Sequence, residues 1–453
     1  MITRNIIVLY YKMKPIILLA LATFLITLTT QQPDSRRLQM RSERSWPYLI
    51  SYGFFRLMVF SDLLLNNNAT ENAATIQFMR DAIQYYQSPS AEGIISGVDL
   101  VVILGNAVNG TDWDGVDMSY FEDRWDMIMQ VIIENQLKIS FTLGDLDTKA
   151  NLKDPKKIIR YLNSYGNLSM TYPTPTSIDG DSFYALPIKR ALCPENNKFQ
   201  QAAYLTFLDS NTYNDCPQKH SDQPENGCVS IQQINKAASI VNIIRKAKPT
   251  ASNFFFSHQG FQEMATLWND PSIDTVFSNN GGNQNVSCSP VDSKYIHDVF
   301  EKYYYNFGFI AGKDLDNRYI IKNQVNFTQI GRAGASNKST AIKKRGAFIM
   351  ELEEWADPKR AFDVCNYFNL IVTNQMFIEE GDLEPFMPNQ VKASQRLRRS
   401  KIGPECNRYS DQGRRDERSD ETQQQTEKNE RQEFVFEKDL KEQIRAEERQ
   451  ADI

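Results

Sequence analysis

Apolar and polar positions alternate along this chain in two different periods. Short runs rich in Val, Ile, Leu and Phe, each ending in a polar turn, predict β-strands. These strand-like segments are Phe54 to Asp62, Asp99 to Asn106, Lys138 to Asp147 and Asn306 to Asp314. Longer segments place apolar residues three and four apart, which predicts amphipathic helices that cover a sheet. These segments are Thr75 to Tyr86, Tyr120 to Ile133, Ser230 to Arg245 and Val291 to Tyr303. The alternation indicates an α/β layered domain.

Polar residues that can bind a ligand follow these strands. They are Asp62, Asn106, Asp145 and Lys313, together with His258 after a further apolar run. Ligands of open α/β sheets gather beyond the carboxyl ends of the strands, so we expect these five side chains to converge. Each also has a structural interpretation. Asp62 and Asn106 are common helix caps and turn formers, and His258 can be a buried structural histidine.

The order and spacing of these strand ends resemble the calcineurin-like metallophosphoesterase superfamily, whose blocks read D-x-H, G-D-x-x-x-G, G-N-H-[DE], a lone His and G-H-x-H. Ala203 to Asn214 and Ile330 to Leu352 resemble its purple-acid-phosphatase-like branch of small single-domain members. The resemblance covers about Trp46 to Asp357. It implies a four-layer α-β-β-α sandwich of mixed sheets flanked by helices. It also implies a site in which two metal ions clamp a phosphate and activate a water.

The blocks depart from the family pattern at metal-binding positions. Leu64 stands where the His of D-x-H is expected, and Asn106 replaces the Asp that would bridge both ions. An amide oxygen carries no net charge and is a poor bridge between two dications. In the third block Asp145 replaces the ligand Asn and Leu146 replaces the His, while Asp147 is retained.

The last block departs further, because Lys313 and Leu315 replace both of its histidines. The whole chain has 3 His, whereas the family site uses about five. The resemblance therefore implies either no metal or one divalent ion of unknown identity, held by Asp62, Asn106, Asp145 and His258. Alternatively, the Lys313 ammonium neutralises these carboxylates without a metal, since buried carboxylates need a partner.

The chain divides into four predicted regions. Residues 1–30 contain Arg4, Lys12, Lys14 and the apolar run Ile16 to Leu28, which is typical of a signal peptide. An uncleaved signal anchor is the alternative. Residues 46–357 form the phosphoesterase-like domain, and residues 358–392 a C-terminal extension packed on it. Residues 393–453 are dense in charge and predict a disordered tail.

Composition supports an extracytoplasmic compartment. The six cysteines lack metal-type pairing, and a local disulfide is predicted among Cys193, Cys216 and Cys228. Six sequons permit glycosylation, at Asn68, Asn109, Asn167, Asn285, Asn326 and Asn337. The net charge of −5 favours neither nucleic acid nor an anionic membrane.

The resemblance and its departures imply a pseudo-phosphatase, a member of a phosphoric ester hydrolase family that binds a phosphorylated ligand or a protein partner without hydrolysis. With the signal-like segment, we expect it to be secreted or in the endomembrane lumen. Membrane association is expected only if the signal stays as an anchor. The alternative is a weak mononuclear phosphoesterase in which Asp62, Asp145 and His258 hold one ion. In that alternative Asp147 orients a water or donates a proton.

Overall fold

A computed structural model describes residues 49–51, 54–87, 97–113, 117–148, 154–175, 177–190, 201–210, 229–247, 252–260, 276–278, 307–314, 318–322, 325–335, 345–356, 368–379 and 382–386. All of them lie in one compact unit, Tyr48–Phe436. The predicted signal segment, the helix at Val291 to Tyr303, the six cysteines and the charged tail lie outside the described residues.

The described part of the chain contains fourteen strands, numbered here in chain order. They are β1 Leu49–Ser51, β2 Phe54–Phe60, β3 Leu100–Leu104, β4 Lys138–Thr142, β5 Tyr184–Arg190, β6 Gln201–Leu208, β7 Ser252–Ser257, β8 Val276–Ser278, β9 Phe307–Asp314, β10 Arg318–Lys322, β11 Val325–Gly331, β12 Gly346–Ala356, β13 Phe368–Glu379 and β14 Asp382–Phe386.

The strands form two mixed sheets. The six-stranded sheet has the order β14-β13-β12-β2-β3-β4, and the eight-stranded sheet has the order β1-β5-β6-β7-β9-β11-β10-β8. In the first sheet β2, β3 and β4 are parallel, and in the second β6, β7, β9 and β11 are parallel. The carboxyl ends of the parallel strands therefore meet at one edge of each sheet.

Five helices lie within the described residues: α1 Ala69–Gln87, α2 Ser119–Glu134, α3 Asp145–Thr148, α4 Lys156–Asn163 and α5 Ile231–Ala247. Asn68 begins α1, because its side-chain oxygen accepts the backbone N–H groups of Thr70 and Glu71 at 3.1 and 3.3 Å. Two short 3₁₀ turns, Gly110–Asp112 and Gly166–Leu168, complete the set. None of the helices in these described ranges is both long and apolar enough to cross a membrane.

The period of two along each strand divides its side chains between two cores. On β2, Phe55, Leu57 and Val59 face the eight-stranded sheet, while Met58 and Phe60 join the core beneath the helices. We call the first of these the intersheet core, and its members on the eight-stranded sheet include Phe207, Phe254, Phe256 and Ile310. Alternation thus lets one strand contribute to two buried layers.

Helices cover the outer faces of both sheets. Side chains of α1, α2 and α4 pack on the six-stranded sheet, where Trp125 of α2 contacts Phe141 with ring centroids 4.7 Å apart. On the other side, Ile240 of α5 packs against Tyr204 of β6. The structure is therefore the α/β sandwich of two mixed sheets with flanking helices that the sequence predicts.

The region predicted as a C-terminal extension contains β13 and β14. Strand β13 pairs with β12 from Gly346↔Glu379 to Ala356↔Phe368, and β14 pairs with β13 at its outer edge. Strands β13 and β14 therefore extend the six-stranded sheet beyond residue 357, where the resemblance ends.

Candidate functional site

The structure brings together the five polar residues that follow the parallel strands. Asp62 follows β2, Asn106 follows β3, Asp145 follows β4, His258 follows β7, and Lys313 is the penultimate residue of β9. We call these five residues the polar cluster. It joins the two sheets, because three of its members belong to the six-stranded sheet and two to the eight-stranded sheet.

Tight turns place three of these side chains. Asp62, Asn106 and Lys313 have φ angles of 51, 51 and 60°, in the left-handed region. Asp and Asn tolerate this region better than most residues, whereas a lysine adopts it only when its surroundings enforce it. This backbone conformation turns the ends of β2, β3 and β9 toward the polar cluster.

The Asn106 amide lies between two carboxylates. Its Nδ2 donates to Asp62 Oδ1 at 2.8 Å and to Asp145 Oδ1 at 3.1 Å. Its Oδ1 accepts the backbone N–H of Leu146 at 2.8 Å. These partners determine the direction of the amide, so that Asn106 presents N–H groups, and not an oxygen, to Asp62 and Asp145.

His258 is fully buried and both of its ring nitrogens face acceptors. Nδ1 lies 2.7 Å from Leu104 O and Nε2 lies 3.0 Å from Asp145 Oδ1. Burial lowers the pKa of His258, but the charge of Asp62 and the bond to Asp145 outweigh this and raise it above the usual value. An imidazolium donates to both acceptors, which the neutral ring cannot do.

Lys313 brings a positive charge to the cluster. Its Nζ lies 3.3 Å from Asp145 Oδ2, and its backbone N–H donates to Asp62 Oδ2 at 3.0 Å. Burial raises the pKa of Asp145, but the Lys313 ammonium, the His258 bond and the Asn106 amide together hold it well below the usual value. Asp145 is therefore a stable carboxylate without any further cation.

Asp147 lies behind the cluster. It is fully buried, and its carboxylate accepts the backbone N–H groups of Asn106, Gly144 and Val108 at 2.6, 2.9 and 3.1 Å. Burial raises the pKa of Asp147 to about 7, against the lowering effect of the three amides. These contacts tie the turns after β3 and β4 together. Its role in catalysis stays a prediction.

Two glycines allow the turns to approach closely. A Cβ on Gly144 would lie 2.3 Å from Asn106 Oδ1 and 2.5 Å from Asn106 N. Gly105 has a φ of 68°, and a Cβ there would lie 2.6 Å from the His258 ring. Both positions require glycine, because the polar cluster occupies the volume that a side chain would need.

The arrangement suits an ion-paired cluster better than a dinuclear metal centre. A bridging ligand must present anionic oxygen to both ions, and Asn106 presents N–H groups where that oxygen would stand. The Lys313 ammonium beside Asp145 adds repulsion for any second cation. Among the residues that the structure describes, no group of three or more His, Cys, Asp or Glu side chains is arranged to hold a metal ion.

Two neighbours of the cluster escape detection in the sequence. Ser61 Oγ donates to Asp62 Oδ2 at 2.6 Å, and Arg332 lies buried in the turn after β11. Ser61 carries no motif. Arg332 stands between glycine and alanine directly after β11, and a charged residue between two small residues is the one signal that could have indicated it.

One of the predicted glycosylation sites is buried. Asn109 is 3% exposed, and its Oδ1 accepts both the backbone N–H and the hydroxyl of Thr111. The sequons at Asn68 and Asn167, in contrast, are exposed. Surface glycans on the folded domain therefore suit Asn68 and Asn167 and not Asn109.

Comparisons with known proteins find similarity in structure alone. No protein family and no curated protein matches the chain. Among solved structures, the chain is similar to GAP50, the anchor in the inner membrane complex of Plasmodium, with 10% identity and a TM-score of 0.41 over 77% of this chain and 90% of that one.

Two further structures are similar at the same level. Purple acid phosphatase PPD1 from yellow lupin seeds has 11% identity and a TM-score of 0.40 over 79% of this chain and 59% of that one. PhoD has 9% identity and a TM-score of 0.37 over 86% and 80%. At these scores the likeness carries no argument about function.

Proposed function

We propose that this protein is a binding protein with a phosphoesterase-like fold that does not hydrolyse phosphate esters. It takes a phosphorylated ligand or a protein partner at the edge where the polar cluster lies. The observation that supports this most is the direction of the Asn106 amide, whose Nδ2 bonds both Asp62 and Asp145. An N–H donor at this position satisfies two carboxylates that a metal-dependent enzyme would keep for its ions.

Charge balance supports the same conclusion. Asp62 and Asp145 are the two carboxylates of the cluster, and Lys313 pairs with Asp145 through Nζ at 3.3 Å. His258 adds a second donor to Asp145. Protein groups thus supply the counter-charge that metal ions supply in a dinuclear phosphoesterase, and a buried carboxylate so paired needs no ion.

The compartment proposed for the protein follows from its sequence. The signal-like segment at residues 1–30 and the six cysteines favour the secretory route, to the exterior or the endomembrane lumen. A net charge of −5 gives no support for nucleic acid as a partner, and none is proposed. Membrane association belongs to the proposal only if the apolar run remains attached as an anchor.

A second candidate, a weak mononuclear phosphoesterase, has one observation in its favour. His258 holds Nδ1 against the carbonyl of Leu104 at 2.7 Å, the bond that orients metal-bound histidines in proteins. Asp62, Asp145 and His258 would then hold one divalent ion, which would supply Lewis-acid polarisation of a phosphate oxygen. In that case Lys313 would have to leave Asp145.

Phosphomonoester turnover separates the two candidates. The chain, expressed through a secretory route, is assayed with added zinc, manganese or iron alongside Asp62→Ala. Asp123→Ala, at an exposed position of α2, is the matched control. We expect no metal-dependent turnover in any of the three proteins. Turnover that requires a metal and is lost in Asp62→Ala, but not in Asp123→Ala, would overturn the proposal.

A further inference from the structure

Arg332 lies beside the polar cluster and belongs to none of its hydrogen bonds. The turn that carries it packs along the end of β2, where Ala333 N–H donates to Ser61 O at 2.9 Å and Gly334 N–H donates to Asp62 O at 3.0 Å. The residue is 5% exposed. The fold therefore holds an arginine in the interior, next to Asp62.

One edge of the Arg332 guanidinium is unsatisfied within the described part of the structure. Its Nε and Nη2 are buried and have no hydrogen-bond partner among the described residues. These two nitrogens lie along one edge of the guanidinium and donate in parallel, which matches two oxygens of a carboxylate or a phosphate. Buried donors are nearly always paired, and a charged donor pair more so. An oxyanion is the chemistry that would complete this edge.

The neighbouring acids are already engaged. Asp62 and Glu71 are the charges that act on Arg332, and both raise its pKa while burial lowers it. Asp62 accepts from Asn106 Nδ2, Ser61 Oγ and Lys313 N. Glu71 accepts from Asn66 Nδ2 at 2.8 Å. Neither acid forms a hydrogen bond with Arg332.

The surroundings provide a second cation and a partly open rim. Lys313, whose backbone N–H bonds Asp62, is 17% exposed, and its partner Asp145 is 15% exposed. The cluster therefore reaches solvent at Lys313, while Arg332 lies deeper. Lys313 and Arg332 bring two positive charges to this edge, where the nearby carboxylates of Asp62, Asp145 and Glu71 already accept from other donors. The two cations can therefore attract an anion from that rim.

We propose that Arg332 is the ligand-binding residue of this site, and that its Nε and Nη2 edge binds an oxyanion of a phosphate or carboxylate group without a metal ion. This inference deepens the proposed function and rests on it. It names the chemical class of the ligand and the residue that selects for it. The ligand would enter past Lys313 and meet two parallel donors at Arg332.

The test is binding of inorganic phosphate, and separately of acetate, to the full chain treated with EDTA at constant ionic strength. Calorimetry gives the affinity and thermal unfolding gives the midpoint shift. We expect an anion to raise the midpoint, and Arg332→Met to bind that anion at least about tenfold more weakly. A larger response to phosphate indicates a phosphorylated ligand, and a larger response to acetate a carboxylate ligand.

Arg332→Met also has an expected effect in the absence of anion. Removing buried donors that lack an acceptor should raise the unfolding midpoint of the ligand-free protein. A fall would show that the guanidinium serves as a counter-charge for Asp62, and would overturn the inference. Should Arg332→Met fail to fold, Arg332→Lys carries the test, because lysine keeps the charge but loses the parallel donors.

Arg80→Met is the matched control. Arg80 pairs with Glu134 between α1 and α2 on the surface, so its removal should leave anion binding unchanged. An absent response to both anions in the unaltered protein, or an unchanged response in Arg332→Met, would contradict the inference. Metal-dependent turnover would overturn the proposed function and with it the inference, whereas unchanged anion binding in Arg332→Met without turnover would overturn the inference alone. Anion binding that Arg332→Met weakens, without turnover, would support both.

Discussion

The intersheet core and the polar cluster lie on the same strands and are held by different forces. On β7, Phe254 and Phe256 are buried in the core, and His258 follows two residues later in the cluster. A residue of the core needs only to be apolar, of suitable volume and on the buried face of its strand. Every member of the cluster instead depends on a named partner atom at hydrogen-bond distance. The core should therefore tolerate conservative substitution, and the cluster should not.

The largest effect is expected from truncation in the core. Phe256 is fully buried and stacks on Phe207 with ring centroids 5.1 Å apart. Phe256→Ala should lower the free energy of unfolding by about 3–5 kcal/mol. Phe256→Leu keeps most of the volume and should lower it by about 1.5 kcal/mol or less. Denaturant unfolding measures both, and equal losses would contradict the view that volume governs the core.

A conservative substitution in the cluster should behave differently. Asp145→Asn is nearly isosteric, but it removes the negative charge that pairs with Lys313 Nζ and His258 Nε2. We expect the free energy of unfolding, measured by denaturant, to fall by about 2–3 kcal/mol. This is less than is usual for a buried pair, because the side chains of Lys313 and Asp145 are 17 and 15% exposed.

A double-mutant cycle isolates that interaction. Asp145→Leu with Lys313→Leu removes both charges, so the pair should lose about 1–3 kcal/mol less than the sum of the single variants. Additive losses would show that the two side chains do not stabilise each other.

The close approach of the turns gives a smaller effect. Gly144→Ala places a Cβ 2.3 Å from Asn106 Oδ1, so the amide must shift, which disturbs the bond from Leu146 N–H to Oδ1 and the bonds from Nδ2 to Asp62 and Asp145. We expect about 1–2 kcal/mol of destabilisation. Gly97→Ala is the control, because a Cβ there meets nothing within 4 Å. Similar unfolding curves for both variants would contradict the packing described for Asn106.

The smallest effect is expected in the pH dependence. The pKa of His258 is raised in the folded protein, so its contribution is present below the unfolded value and is lost as pH rises through the folded value. The pKa of Asp145 is lowered, so its contribution is present above the unfolded value and is lost as pH falls. Stability should peak between the ordinary values of the two groups, about pH 4 and 6.5.

Above that window the unfolding midpoint should decline as pH rises. Asp147, whose pKa is raised to about 7, loses its contribution as pH rises from its ordinary value of about 4 to about 7, so it moves the maximum toward the acidic end of that window. His258→Gln should flatten the decline, whereas Phe256→Leu should keep it. A midpoint that instead rises with pH in wild type would indicate a deprotonated, metal-bound His258.

The sequence predicts the layers of this protein well and the contacts of its site poorly. Periodicity locates β2, α1 and α2, because burial on one face leaves a regular pattern. The convergence of Asp62, Asn106 and Asp145 follows from parallel strands ending at one edge. The direction of the Asn106 amide does not follow, since it depends on the Leu146 N–H. The edge of Arg332 that lacks a partner among the described residues depends likewise on the turn after β11, which packs on the end of β2.

Metal content of the secreted, full-length protein tests the central claim most directly. Elemental mass spectrometry after dialysis against zinc, manganese and iron should find no stoichiometric metal, in the unaltered protein or in Asp145→Ala. About one ion per chain, lost in Asp145→Ala and retained in Asp123→Ala, would contradict the account and establish the mononuclear centre.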